Sequence, residues 1–165
     1  MSVNKNQPHI YVLPEDKADR ELATGFHMEV DQKRYRQMQV LPEMGGWLKV
    51  LDCFQSDHIK DMKRYPKRYM VLLIDFDERE DRLDGAKQAI PDDLKDRVFV
   101  LGARKDPEGL RSAGLGSPET IGKALAKDCR EETDKTWGHD LLRHNASELD
   151  RLREHVRPIL FQLIS

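Results

Sequence analysis

The chain has 165 residues, of which 38% are hydrophobic and 35% charged, and its formal net charge is -2. That length suits one core of ordinary size and is too short for two well-buried ones. Near-neutral charge excludes a global field for polyanions, so a nucleic-acid partner needs a local basic patch or a metal, and no apolar run approaches the roughly 20 residues that span a bilayer, so no membrane partner is expected.

Residues 1–8, MSVNKNQP, are polar and end in Pro8, which predicts a loose arm ahead of a short apolar strand over His9-Ile10-Tyr11-Val12-Leu13. Pro14 stops that strand and suits a first helical turn, and Ala18, Leu22, Ala23 and Phe26 follow at helical spacing. Gln37 to Leu41 alternates weakly, as a second strand. Pro42-Glu43-Met44-Gly45-Gly46 then reads as a turn into a helix carrying Trp47, Leu48, Val50, Leu51 and Phe54. A second short helix is expected over about 56–64, broken at Tyr65-Pro66. Tyr69 to Ile74 is apolar at nearly every position, as a parallel strand covered on both faces requires. A helix with Leu83, Ala86 and Ile90 inward follows, then a fourth strand over Arg97 to Leu101.

Asp106-Pro107 and Ser117-Pro118 each read as a helix cap plus first-turn proline, the second opening a helix with Ile121, Ala124, Leu125 and Cys129 inward. Ser147, three residues ahead of Asp150, predicts the cap of a last amphipathic helix bearing Leu149, Leu152, Val156, Leu160 and Leu163, interrupted at Pro158. The alternation predicts an α/β fold of three layers: a mostly parallel central sheet of about four strands over 9–103 with helices on both faces, plus a helical extension over 104–165 packed on the same core. Cys53 and Cys129 are the two cysteines, and without a secretory signal pattern they read as free thiols of a cytoplasmic protein.

In a parallel α/β sheet ligands bind beyond the carboxyl ends of the strands, and three strands supply acids there: Glu15 and Asp16, Glu43, and Asp75 with Asp77. Two residues apart in extended chain, Asp75 and Asp77 share a side while Phe76 turns away to pack. Two like charges about 6.5 Å apart repel by roughly 2.5 kcal/mol at an effective dielectric near 20. A divalent cation relieves that repulsion, and an all-oxygen donor set favours a hard ion, Mg²⁺ or Mn²⁺. The competing explanation is helix capping, for Asp75 and Asp77 by a helix starting near Glu78 and for Glu15 as ordinary first-turn composition.

The order strand, Glu15, helix, strand, Gly45-Gly46 turn, helix, strand, Asp75-Phe76-Asp77 resembles the toprim domain, the metal-binding domain of topoisomerases, bacterial primases and overcoming-lysogenization-defect nucleases, over about residues 9–103. The family has Glu, then Gly, then an acid three residues later; here Glu15 and Asp19 are kept and Asp16 stands in place of the glycine. That substitution bears on how the loop approaches a phosphate, since only glycine enters positive φ without steric cost. The resemblance implies that Asp75 and Asp77 hold Mg²⁺ and that Glu15 is a further ligand or the catalytic acid/base at the scissile phosphate. In nuclease relatives an acid after the fourth strand assists a second metal, a role open to Glu108 or Glu119, each of which also reads as a first-turn acid after proline. The chain has no room for the further domains of a topoisomerase or primase. The expected function is therefore a metal-dependent nuclease or phosphotransferase acting on DNA or RNA, beside a larger partner such as an ATPase. The alternatives are a non-catalytic scaffold of the same fold and a phospho-accepting receiver, for which Gly102-Ala103-Arg104-Lys105 is a loose fit.

Lys60, Lys63, Arg64, Lys67 and Arg68 cluster ahead of the third strand with Tyr65 and Tyr69 interleaved, either as phosphate contacts or as a solvated face. His139 and His144 stand about 140° apart on a helix, which argues against a zinc site and for packing around Trp137. Neither cysteine lies in a nucleophile elbow.

Overall fold

The computed structural model describes residues 3–76, 79–104, 107–140 and 142–161, with the backbone alone at 107–109. Four strands, β1 (His9–Pro14), β2 (Met38–Val40), β3 (Arg68–Leu73) and β4 (Val98–Leu101), form one sheet in the order β2-β1-β3-β4. Every pairing is parallel. The helices are α1 (Lys17–Met28), α2 (Trp47–Cys53), α3 (Ile59–Arg64), α4 (Glu80–Gln88), α5 (Pro107–Ser112), α6 (Pro118–Glu131), α7 (Ala146–His155) and α8 (Arg157–Leu160).

The alternation of side chains along β3 divides the interior into two cores. Val71 and Leu73, with Ile10, Val12, Phe99 and Leu101, pack against α1, α6 and α7; Met70, Leu72 and Ile74, with Leu13, Val98 and Val100, pack against α2, α3 and α4. Each such side chain contributes roughly 1.5–3 kcal/mol relative to exposure. On the first face α1 and α6 approach backbone to backbone, because a Cβ on Gly25 would lie 2.0 Å from the Glu119 carbonyl oxygen and one on Gly122 would lie 1.9 Å from that of Leu22. The C-terminal helices belong to this core through Leu149, Leu152, Val156 and Phe161.

Those helices also close the open edge of β4. The Asn145 amide donates to the Gly102 carbonyl at 2.9 Å and its oxygen accepts from the Gly102 N–H at 3.2 Å, while Arg151 donates to the carbonyls of Lys95 and Val98. A covered edge cannot template another strand. Trp137 donates from its indole to the Leu125 carbonyl, and the buried Asp128 carboxylate accepts from Thr133, Thr136 and Trp137, so the stretch around His139 and His144 is built for packing. His144 donates to the Gly102 carbonyl at 2.8 Å.

Three local expectations need correcting. Residues 3–8 are tied down: Val3 is buried, the Asn6 carbonyl accepts from Lys67, and the Pro8 carbonyl accepts from Gln37. Helices α2 and α3 are joined by a π-helical turn over Phe54–His58 that keeps Phe54 and Met62 in the core, without a break between them. Ser147 is not the cap of α7, which starts one residue earlier at Ala146; Ser117, by contrast, caps α6 by accepting from the Thr120 N–H.

Candidate metal centre

The site is assembled where β1 and β3 end side by side. The Glu15 N–H donates to the Leu73 carbonyl at 2.9 Å, which extends the β1–β3 pairing by one residue and sets Glu15 beside Asp75. Its carboxylate accepts from the Asp75 N–H at 2.6 Å, and the N–H of Trp47 at the start of α2 also favours its charged form. Gly45 turns the chain at φ 92°, in the left-handed region that glycine enters freely, and its N–H donates to the Glu15 carbonyl at 2.7 Å. Gly46 has φ 161°, extended backbone open to any residue.

Asp16 caps α1 by accepting from the Asp19 N–H at 3.0 Å, with φ -136°. The concern raised by the missing glycine therefore does not arise here, because position 16 needs no positive φ. Helix α1 starts at once and turns Asp19, four residues after Glu15, back onto the strand ends. Glu15, Asp19 and Asp75 each offer an oxygen within 4.8 Å of the others, and all three are buried. Asp19 Oδ2 and Asp75 Oδ1 are shut from solvent without a hydrogen-bond partner.

Burial raises the Asp19 carboxyl well above its usual range, helped by the charges of Asp75 and Asp16. Burial, then the charge of Asp16, pushes Asp75 up to about 8, and burial likewise raises Glu15. Arg82 brings positive charge to this corner: it donates to the Asp75 carbonyl at 2.9 Å, lies 5.5 Å from the Trp47 ring and offsets part of the rise at Glu15. Burial and mutual repulsion thus favour protons on these carboxyls where no cation offsets their charge, and the donor atoms are all oxygen. Such a pocket could hold a metal ion.

Asp77 and the Glu108 side chain lie outside the described residues. Asp75 does not cap α4, which starts at Glu80 behind Arg79. Glu119 pairs with Lys123 at 3.5 Å, and its backbone meets α1 at Gly25, six residues and about 9 Å of helix beyond Asp19. Glu43 is taken by Arg20 at 2.8 Å.

The basic cluster is placed at the opposite end of the sheet. Arg68 opens β3 and Asp75 follows its close, seven residues or roughly 23 Å away. Arg68 is buried; it donates to His9 at 3.1 Å and to the Tyr11 hydroxyl at 3.3 Å, between the Tyr11 and Tyr65 rings. Lys63 faces Asp93, Lys67 holds the Asn6 carbonyl, Arg64 lies over Tyr65 and Lys60 is exposed on α3. None of these five can share a phosphate with the acids.

The sequence reading kept Asp19 as part of a motif and not as a ligand. The spacing could have raised it, since an acid four residues after Glu15, in the first turn of a helix entered directly from the strand, faces back along the strand ends. Arg82 carried no signal in the sequence. No helix among the described residues is long and apolar enough to cross a membrane. Comparison of the chain with protein-family models, with curated proteins and with solved structures returned no match.

Proposed function

We propose that this protein is a toprim-like, Mg²⁺- or Mn²⁺-dependent phosphodiester hydrolase or phosphotransferase acting on nucleic acid. The observation that carries the reading is the convergence of Glu15, Asp19 and Asp75 with two buried, unpartnered oxygens at the carboxyl ends of two adjacent parallel strands. Hard divalent ions take oxygen ligands of this kind, whereas zinc sites draw on Cys and His. Glu15, Asp19 and Asp75 would hold the cation, with Asp77 next to them in sequence. When bound, the cation supplies charge to the phosphoryl oxygens and orients the attacking oxygen.

The protein's own residues divide the remaining work. The Asp75 N–H holds Glu15 by one oxygen and so keeps its carboxylate at the cluster, where it would serve as ligand or proton acceptor. Arg82 holds the Asp75 backbone and brings positive charge to the rim. Beside Phe76 lies a cleft of about 470 Å³ whose charged lining is Arg79, Glu80, Asp84 and Arg104. Asp75→Asn with Asp77→Asn should abolish Mn²⁺-dependent cleavage of single- and double-stranded oligonucleotides while the far-ultraviolet circular dichroism stays unchanged. Full cleavage by that variant would refute the reading. Metal binding without cleavage of any DNA or RNA substrate would instead favour a scaffold of the same fold.

A further inference from the structure

We infer that the groove between α1 and the free edge of β2 binds a single strand of nucleic acid and leads it toward the carboxylate corner; this rests on the phosphodiester reading above. The groove has a volume of about 370 Å³ and is lined by Thr24, His27, Tyr35, Arg36 and Met38, with Gln39 and Val40 beyond them on β2. β2 is the edge strand of the sheet, so nothing in the sheet covers its outer side.

The segment that enters β2, Gln32–Gln37, is a 3-10 turn reading QKRYRQ. It carries Lys33 and Arg34 just after Glu29 and Asp31, and residues 32–36 are all exposed. Tyr35 stands in the middle and is 41% exposed. Its ring is stacked on that of His27, with centroids 3.9 Å apart and planes at 11°. His27 also donates to the Tyr35 carbonyl at 2.9 Å. The ring is therefore fixed before any ligand arrives, with one face on His27 and the ring still open to solvent. A preset aromatic platform beside cations is what sequence-tolerant binding of a single strand requires: bases stack on the ring and phosphates meet Lys33 and Arg34.

The groove also points the right way. Arg20, Thr24 and His27 recur at four and three residues and so share one face of α1. From Asp19 to His27 is eight residues, or about 12 Å along the helix. A strand stacked on Tyr35 would thus pass Thr24 and Arg20 before reaching Glu15 and Asp19.

The test is fluorescence anisotropy of a labelled oligothymidylate of about 12 nucleotides, titrated with the full chain in EDTA, so that no metal at the carboxylates is needed. Lys33→Glu with Arg34→Glu should weaken binding at least about tenfold at low salt and lower the salt slope by about 1.4. Tyr35→Ala should weaken it about tenfold and Tyr35→Phe should restore it, since the phenyl face still stacks. Lys60→Glu with Lys63→Glu, an equal charge change on α3, which packs against the opposite face of the sheet, should leave affinity within about twofold. The inference is overturned if the oligonucleotide does not bind, if the loss follows Lys60 and Lys63, or if anionic phosphatidylserine vesicles bind and the oligonucleotide does not. Binding in EDTA with the expected loss in Tyr35→Ala, but without Mn²⁺-dependent cleavage by the parent chain, would uphold the groove and sink the catalytic reading, which separates the two.

Discussion

The buried carboxylates make a quantitative demand on stability. Asp75 titrates near 8 in the folded chain, because burial and the neighbouring charge of Asp16 disfavour its ionised form, against about 3.8 when free. The folded chain therefore holds an extra proton between about pH 4 and pH 8. Stability is fully present below the lower value and is lost as pH rises through the upper one, so the metal-free protein should be weaker at pH 8.5 than at pH 5. Four decades of proton affinity correspond to on the order of 5 kcal/mol, an upper limit because Asp19 shares the charge. For a chain of this length that is a fall of at most about 10–20 °C in Tm. Asp75→Asn cannot ionise and should flatten the loss, ending more stable than the parent at pH 8.5 in EDTA. Urea unfolding followed by circular dichroism at pH 5 and pH 8.5 measures the difference between the two proteins, and the difference removes the opposing histidine titrations. An Asp75→Asn effect independent of pH would refute the reasoning.

Other consequences follow from single contacts. Gly122→Val should cost more than about 3 kcal/mol, because its Cβ would meet the Leu22 carbonyl and force α6 off α1; a denaturation midpoint unchanged from the parent would contradict that packing. His9 accepts from Arg68 on one ring nitrogen and donates to the Gln7 carbonyl from the other, so it is held neutral; burial, and to a lesser degree Arg68, lower its pKa. The amino end of the sheet should then lose stability as pH falls below the ordinary histidine value near 6.5, a loss that His9→Gln reduces in acid unfolding. Asn145→Ala leaves both polar groups of Gly102 without their amide partner and should cost about 1–3 kcal/mol, with faster hydrogen exchange at Gly102 than elsewhere in β4.

How much of this could be read in the residues alone depended on whether the signal was local. The strands β1, β3 and β4 are near-continuous apolar runs, and burial on both faces of a parallel sheet leaves that mark directly. The pairing of Ser117 with Pro118 marked the start of α6 for the same reason, since a cap is made within one turn. The N-terminal arm was misjudged because its polar residues are held through backbone carbonyls, which composition does not reveal. The π-turn over Phe54–His58 hid the continuity of α2 and α3 by shifting the apolar period by one residue. At the site, Glu15 and Asp75 were legible because each follows a strand. Asp19 was legible only as spacing, since its place in the cluster depends on how steeply α1 leaves β1. The basic residues before β3 looked close to the acids because they are close in sequence, and a strand of six residues then carries them to the far end of the sheet.

The central claim is that Glu15, Asp19 and Asp75 form a cation site, and the most direct measurement is a crystal soaked in Mn²⁺ at pH 8, with anomalous scattering to locate the ion. The account predicts a peak within about 2.0–2.3 Å of an oxygen of each of the three carboxylates, lost in Asp75→Asn. Saturating Mn²⁺ with no peak among them would contradict it.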